Sequence, residues 1–102
     1  MYTTDKRLVI LDETDNVLVC CGRINEAERV QIEGKFVTLD VSIDIGHKIA
    51  RADLDTGVKV IKYGVPIGST TQPVKFGQHV HLQNMKSDYI ASHTRSSQKG
   101  EY

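Results

Sequence analysis

Residues Gly46–Asn84 read GHKIARADLDTGVKVIKYGVPIGSTTQPVKFGQHVHLQN. Short apolar runs in this stretch, such as HKIA, VKVIKY and HVHLQN, alternate with segments that contain Gly, Pro or Asn. The spacing of roughly 8–12 residues between these breaks is typical of a compact all-β domain, in which short strands end in sharp turns. The sequence therefore predicts a mainly β fold, a single small domain with short, irregular strands.

The residues that precede this stretch have the same β character. The apolar runs Arg7–Leu11 and Asn16–Cys21 are separated by a polar turn. Residues Val30–Val41 alternate apolar and polar side chains around a central EGK turn, which predicts a β-hairpin. We expect helical turns only at Ile24–Arg29 and Arg51–Asp55, because no segment keeps a helical period for the ten or so residues that an independent helix needs.

The length of 102 residues corresponds to one small domain. We assign residues 1–86 to this domain. From Ser87 the chain is polar, and Ile90 is its only aliphatic residue larger than alanine. Such a segment cannot bury enough apolar surface to order itself, so residues 87–102 are interpreted as a tail or the stump of a linker. His93 lies in this segment and is expected to be solvated.

The composition argues against nucleic acid and membranes as partners. Thirteen basic and thirteen acidic side chains cancel, which leaves no electrostatic footprint for either. The apolar run near the amino terminus, Leu8–Leu11, has four residues, fewer than a signal peptide or a membrane span requires. Cys20 and Cys21 fit two reduced thiols, one of them buried, better than a redox or metal pair. We therefore expect a cytoplasmic protein.

His79 and His81 form a His-x-His pair. In an extended strand the two imidazoles share one face, while Val80 and Leu82 point into the core. Such a pair can bind a metal ion, but it needs a third ligand from elsewhere, for which His47 is the matching candidate. The carboxylates Asp44 and Asp53 could assist. The same spacing also fits two polar residues on a solvent-facing strand.

His47 and Lys48 follow Gly46 directly, which places the imidazole at a tight turn. A turn exposes a side chain and positions it, as a general acid or base requires, although a turn residue bonded to the backbone is equally consistent. Lys62 shares a strand face with Val60, so it either half-buries its stem or binds a substrate carboxylate.

Other residues point to structural roles. Tyr63 is expected to pack at the core or its rim. Asp15 and Asn16 are expected to supply turn chemistry through bonds from side chain to backbone. The sequence does not contain a Ser/His/Asp or Cys/His triad that can be argued from spacing, so an enzyme active on its own is not expected.

These segments together resemble one family. The blocks GHKIA, VIKYGVPIG and GQHVHLQN, with Asp53 and the DNV of Asp15–Val17, resemble the SAF-type module of the altronate and galactarate dehydratase family. The small subunit of sulfolactate sulfo-lyase is in the same group. The resemblance extends from Thr14 to Lys86, and it is specific because several blocks occur in order. It implies a β-clip fold similar to antifreeze-like domains.

The resemblance also implies a role. In this family the module precedes, or pairs as a separate chain with, a larger catalytic part that removes water or sulfite from a hydroxy acid with a divalent metal, commonly iron. We therefore expect this chain to be the small subunit or amino-terminal module of a sugar-acid hydro-lyase. It would help to form or cap the substrate site, with the metal mostly on the partner. The alternative is a non-catalytic carbohydrate-binding or assembly module of β-clip type, and a homodimer through strand edges is also consistent.

The matching positions give the predicted site. His47 and Lys48 are predicted to be catalytic. The residues predicted to bind the sugar-acid substrate are Lys62, Tyr63 and Asn84, and the predicted metal ligands are His79 and His81. In many relatives the residue before Asn84 is a histidine as well, whereas here it is Gln83, which bears on whether this strand makes a metal site.

Overall fold

The computed structural model describes residues 3–88, and in this range the chain forms nine short β-strands and no helix. In chain order the strands are β1 (Leu8–Val9), β2 (Val17–Cys20), β3 (Arg29–Ile32), β4 (Lys35–Thr38), β5 (Lys48–Ala50), β6 (Lys59–Lys62), β7 (Val65–Thr70), β8 (His79–Val80) and β9 (Met85–Lys86). The prediction of a mainly β domain with short, irregular strands is confirmed.

The strands form three small antiparallel sheets. One sheet has the order β1-β2-β5-β8, a second is the β3-β4 hairpin, and the third has the order β6-β7-β9. The hairpin predicted at Val30–Val41 is confirmed, with its turn at Glu33 and Gly34. The helical turns expected at Ile24–Arg29 and Arg51–Asp55 are wrong, because these segments instead form bends, turns and isolated β-bridges.

The chain contains the same structural unit twice. Ile24 and Ile43 form an isolated bridge by exchanging two backbone hydrogen bonds, and Leu54 and Val74 do the same in the second unit. Each bridge is followed by a turn residue with positive φ, each unit then forms a hairpin, and each closes on a glycine with positive φ. A repeated unit explains why so many turn residues recur at similar spacing in the sequence.

One inserted residue distinguishes the two units. Ile24 and Leu54 are 30 positions apart, whereas Ile43 and Val74 are 31 apart. The shift occurs in the β6–β7 hairpin, where Val60 pairs with Gly68 but the next residue pairs with Pro66. The residue between them, Ile67, is therefore a β-bulge that the β3–β4 hairpin lacks.

Two apolar cores lie on opposite faces of the four-stranded sheet. Adjacent residues of β2 illustrate this, because Leu18 joins the first core and Val17 the second. In β5, Ile49 joins the first core and Ala50 the second. This alternation fixes which face of the sheet each neighbouring side chain occupies.

The cysteines and the surface agree with the expectations that can be checked. Cys20 is buried and Cys21 exposed, and both are free thiols, as predicted. Residues 3–88 include no helix with the length and hydrophobicity that crossing a membrane requires.

Cytoplasmic location stays a prediction, and so does the domain boundary after residue 86. Most of the predicted tail, including His93, lies outside the described residues.

Candidate functional site

The register between β5 and β8 brings three histidines to one place. These two strands pair antiparallel, with Ile49 opposite His79. Continuing this register by two residues in each direction places His47 opposite His81. Alternate residues of paired strands share a face, so all three imidazoles emerge on the same side of the sheet.

The three rings are in mutual contact. The ring centroids of His47 and His79 are 5.1 Å apart, those of His47 and His81 are 4.8 Å apart, and those of His79 and His81 are 5.2 Å apart. Nδ1 of His47 lies 2.9 Å from Nε2 of His79, a hydrogen-bond distance. One nitrogen from each ring lies within 4.8 Å of the other two. The structure thus brings His47 to the predicted pair as its third member.

Asn84 fixes the backbone that carries two of these rings. Its Oδ1 accepts a hydrogen bond from the backbone N–H of His81 at 2.9 Å, and its Nδ2 donates to the carbonyl of His79 at 2.8 Å. The Asn84 side chain is buried. Its amide is therefore engaged by the backbone, and its predicted contact with substrate stays a prediction.

The chain turns immediately after His81. The carbonyl of His81 accepts hydrogen bonds from the backbone N–H groups of Asn84 and Met85, at 3.0 and 2.9 Å. The expectation that Leu82 points into the core is wrong, because this turn leaves its side chain 56% exposed. Val80 is buried, as expected.

A second turn presents His47. The backbone N–H of His47 donates to the carbonyl of Asp44 at 3.1 Å, and Gly46 adopts a φ of 90°. Backbone bonds from Gly46 to Cys20 and from Cys20 to His47 tie this turn to the edge of β2. The ring of His47 is thus held at the start of β5 rather than on a loose loop, as its position after Gly46 predicted.

The surroundings of His79 and His81 favour the uncharged form of both rings. The pKa of His79 is lowered to about 4, mainly because the ring is partly buried. The neighbouring His47 and His81 lower it further by smaller amounts. Burial also lowers the pKa of His81, with a smaller effect from His47. A neutral imidazole has a lone pair available for a proton or a metal ion.

Gln83 contacts the edge of the His79 ring that faces away from His47. Nε2 of Gln83 lies 3.4 Å from Nδ1 of His79. Sequence reasoning noted Gln83 only as a departure from the family and did not assign it a contact. The signal that could have identified it is its position one residue before Asn84, in the turn that brings the chain back past His79.

A groove of about 330 Å³ opens next to His79. It is lined by Asp40, Val41, Gln72, Pro73, Gln78, His79, Gln83 and Asn84. Carboxamide and carboxylate groups dominate this lining. Both accept hydrogen bonds from hydroxyl groups, and the carboxamides also donate to oxygen atoms. The groove provides space for a polar ligand or for a side chain of another protein at the edge of the imidazole cluster.

Exposed apolar side chains lie around the same site. Val41 lines the groove, Ile45 precedes His47 by two residues, and Leu82 follows His81. They are 42%, 67% and 56% exposed, respectively. Apolar side chains exposed next to a polar cluster are typical of a surface that another protein covers.

Lys48 lies on the opposite face of the sheet from the imidazoles. It alternates with Ile49 in β5, pairs with Val80 of the second core, and is only 5% exposed. Burial and the nearby charge of Lys62 lower its pKa. Within residues 3–88, no carboxylate forms an ion pair with either lysine. The structure thus does not place Lys48 beside His47 as one catalytic group, although both predicted roles remain to be tested.

Tyr63 differs from expectation. It stands at the turn between β6 and β7 with a φ of 59°, and its side chain is 65% exposed. The expectation that it packs at the core or its rim is therefore wrong. Its ring lies 5.4 Å from the ammonium group of Lys62, so these two predicted substrate-binding residues are neighbours.

Asp15 and Asn16 make the predicted bonds to backbone. The Asp15 carboxylate accepts from the backbone N–H groups of Asp12, Tyr63 and Gly64, at 3.1, 3.1 and 2.8 Å. Asn16 donates to the carbonyl of Lys59 at 2.8 Å and accepts from the backbone of β6 at the same distance. The DNV segment therefore anchors the β6–β7 hairpin to β2.

The two carboxylates considered as additional ligands serve other purposes. Asp44 forms an ion pair with Arg23, and Oδ1 of Asp53 accepts from the backbone N–H of Phe76 at 2.8 Å. The cluster of possible ligand atoms in residues 3–88 therefore consists of three imidazoles alone. A set of three neutral nitrogen ligands fits a divalent transition-metal ion, which prefers imidazole, better than Mg²⁺ or Ca²⁺.

Comparison with known proteins agrees with the resemblance seen in the sequence. A family model described as the altronate/galactarate dehydratase SAF domain matches residues 6–88. An altronate dehydratase of Bacillus subtilis (strain 168) is 32% identical over 83 residues, which are 81% of this chain and 17% of the relative. An altronate dehydratase of Escherichia coli (strain K12) is 38% identical over 74 residues, which are 72% of this chain and 15% of the relative.

A shorter relative is also similar. The (2R)-sulfolactate sulfo-lyase subunit alpha of Chromohalobacter salexigens is 48% identical over 46 residues, which are 45% of this chain and 49% of the relative. The chain thus spans less than a fifth of the two altronate dehydratases and about half of this subunit.

Proposed function

The chain belongs to the family of altronate/galactarate dehydratase SAF domains, and from this membership we propose that it works as the small subunit or amino-terminal module of a sugar-acid hydro-lyase. Its fold is the β-clip that such a domain adopts. The larger catalytic part lies on a partner subunit or in another domain. Relatives that are several times longer than the matched region support this division of labour.

One observation carries the proposal, namely the convergence of His47, His79 and His81 on one face. The exposed apolar side chains around them suit a surface that the larger part covers. In the assembled enzyme the imidazoles then line or close the substrate site. A cluster that lay on a surface with no adjacent apolar residues would not favour this reading.

The chemistry requires two proton-dependent events. Dehydration of a polyhydroxy carboxylate removes the proton α to the carboxylate and expels hydroxide from the neighbouring carbon, so that water is the product. An imidazole with a free lone pair can accept the α-proton, and His47 is our candidate because a turn presents it at the edge of the cluster. A divalent metal, when bound, supplies Lewis-acid assistance to the departing hydroxide. His79 and His81 are the residues of this chain that would provide ligands for it.

Other residues would bind the substrate. The groove beside His79 offers the carboxamides of Gln72 and Gln83 and the carboxylate of Asp40 to hydroxyl groups. Lys62, which lies beside Tyr63, is our candidate for binding the substrate carboxylate. Lys48 is buried on the face away from the imidazoles, and we assign it no contact with the substrate. Asn84 would act as a positioning residue, because its amide holds the backbone of the imidazole cluster.

The test is a turnover assay of the full chain together with its large catalytic part on altronate, galactarate and sulfolactate. We expect the assembled protein to dehydrate a sugar acid. His47→Ala should lower kcat/KM by at least about 100-fold, which is the lower end of what general acid–base catalysis contributes. His79→Ala and His81→Ala should also lower kcat/KM. His93→Ala is the matched control, since His93 is the fourth histidine, and it should leave turnover unchanged.

Two results would overturn the proposal. Unchanged turnover and unchanged assembly in all three imidazole variants would assign the chain to a non-catalytic binding or assembly module. Failure of the full chain to associate with a large dehydratase part, shown by analytical ultracentrifugation of the two purified proteins, would do the same.

A further inference from the structure

We propose that His47, His79 and His81 bind one divalent transition-metal ion on this chain itself. The inference does not depend on the hydro-lyase assignment, because it concerns the 102-residue chain in the absence of any partner. It differs from the expectation that the metal ligands lie mostly on the larger part, and it adds His47 to the His-x-His pair as a third ligand. With an ion bound, the lone pair of His47 is occupied, and a base on the larger part would accept the α-proton of the substrate.

The ligand atoms are already close to coordinating positions. A metal–nitrogen bond of about 2.1 Å places two imidazole nitrogens on one ion roughly 3.0–3.4 Å apart. Nδ1 of His47 and Nε2 of His79 are 2.9 Å apart, and the nitrogen of His81 lies within 4.8 Å of both. Rotation of the His81 ring closes the remaining distance. One of the two facing nitrogens carries a ring proton that it donates to the other. When an ion binds, that ring takes its other tautomer, with the proton on the nitrogen that faces away, so that both facing nitrogens offer a lone pair.

The ligand type selects the kind of metal. No carboxylate belongs to the described cluster, so the ion meets three neutral nitrogens. Imidazole suits Zn²⁺, Co²⁺, Ni²⁺, Cu²⁺ and Fe²⁺, whereas Mg²⁺ and Ca²⁺ require oxygen ligands. Three protein ligands also leave at least one coordination position open, as in catalytic rather than structural sites. The groove next to His79 is where a water molecule or a ligand oxygen would reach that position.

The residues around the rings have the arrangement of an outer coordination shell. Gln83 reaches Nδ1 of His79, the nitrogen that faces away from His47. Half a turn of the carboxamide puts its oxygen at this nitrogen, where it accepts a hydrogen bond from the Nδ1–H and leaves the lone pair of Nε2 for a metal ion. Asn84 holds the backbone at both ends of the His-x-His pair. The rings are therefore oriented before an ion arrives, which lowers the entropy cost of binding.

The experiment is a titration of the full, metal-free chain with Co²⁺ and Zn²⁺, followed by calorimetry and by the visible absorption of Co²⁺. We expect one ion per chain and the absorption of a low-coordinate Co²⁺ site that Zn²⁺ displaces. His47→Ala, His79→Ala and His81→Ala should each weaken binding by more than the roughly 10–100-fold that loss of an outer-shell partner causes. His93→Ala should bind as the unchanged chain does, and Gln83→Ala should weaken binding within the 10–100-fold range.

A second measurement covers the case in which a variant does not fold. In the unchanged chain, bound Co²⁺ should broaden the ring proton resonances of His47, His79 and His81 at one equivalent, and leave those of His93 sharp. The proposal is contradicted by a chain that binds no ion, by binding that all three single variants retain, or by binding that His93→Ala abolishes. These outcomes are independent of turnover, so they leave the hydro-lyase assignment to its own test.

Discussion

The side chain of Asn84 holds the backbone of His79, through a hydrogen bond of 2.8 Å from Nδ2 to the His79 carbonyl. The same amide accepts from the backbone N–H of His81 through Oδ1. A single buried carboxamide thus sets the distance between the two histidines of the His-x-His pair. The backbone that carries these two imidazoles is therefore held by Asn84 as well as by the pairing of β8 with β5.

Asn84→Ala should destabilise the domain. Removal of the amide leaves a backbone donor and a backbone acceptor unpaired, and each such buried group costs about 1–3 kcal/mol. Urea unfolding followed by circular dichroism measures the change. Gln83→Ala is the control, because Gln83 is exposed and its loss should change the free energy of unfolding by no more than about 0.5 kcal/mol. Equal stability of Asn84→Ala and the unchanged chain would show that the two hydrogen bonds from the Asn84 amide do not stabilise the domain.

Asp15→Ala should be more damaging than the loss of a surface carboxylate. The Asp15 side chain is 3% exposed and accepts hydrogen bonds from three backbone N–H groups. Hydrogen bonds to a charged acceptor contribute about 1.5–3 kcal/mol each, although the sum is not additive, so we expect a loss of at least about 2 kcal/mol. Asp55→Ala, at an exposed position, provides the comparison in the same urea experiment. Similar midpoints for the two variants would refute the anchoring role.

The repeated unit predicts opposite effects of two small substitutions. Ala27 has a φ of 74°, and Gly57, 30 residues later, has a φ of 82° at the equivalent turn. Ala27→Gly should raise the free energy of unfolding by about 0.5–1 kcal/mol, because glycine adopts this conformation without strain. Gly57→Ala should lower it by about 1–2 kcal/mol, since no atom lies near the added Cβ and only backbone strain remains. Thermal unfolding of both variants checks the prediction, which a shift in the same direction for both would contradict.

The ion pair between Glu33 and Arg51 should make stability depend on pH. The hydrogen bonds from Arg51 hold the pKa of Glu33 below its usual value. The unfolded chain therefore takes up this proton first, so the stabilisation is present above about pH 4.3 and is lost as the pH falls through the lower folded value. Because both groups are partly exposed, we expect about 0.5–1 kcal/mol.

The matched variant is Glu33→Gln, which keeps the shape and removes the charge. It should be less stable than the unchanged chain at pH 7, and the difference should disappear near pH 3. Urea midpoints across this range measure it. A difference that persists at pH 3 would mean that the carboxylate charge is not responsible.

The sequence predicted the strands because strand signals are local. Alternation of apolar and polar residues at Val30–Val41 and the EGK turn between them determine a hairpin without reference to the rest of the chain. The free state of Cys20 and Cys21 and the backbone bonds of Asp15 followed from similar local arguments.

The site was only partly predictable, because it depends on pairing between distant strands. The sequence identified all three histidines, but only the register of β5 with β8 shows that His47 faces His81. The same register places Lys48 on the other face, which the adjacency of Lys48 to His47 did not reveal. Leu82 was misplaced because the turn held by Asn84 ends the strand two residues earlier than the apolar pattern indicated.

The structure describes the first two residues of the predicted carboxyl-terminal tail, Ser87 and Asp88. Asp88 accepts hydrogen bonds from Lys59 at 2.7 Å and from Ser69, so contacts with the domain continue two residues past the predicted boundary. These contacts do not decide where the domain ends. The interpretation of later residues as a tail, and the expected homodimer, stay predictions.

Histidine footprinting of the assembled protein tests the central claim most directly. The full chain would be treated with diethyl pyrocarbonate alone, with the large catalytic part, and with that part plus a sugar acid, and the modification rate of each imidazole read by mass spectrometry. The account predicts that His47, His79 and His81 slow together on assembly, and slow further with the sugar acid. Unchanged rates at all three rings, in a complex that forms and turns over, would contradict it.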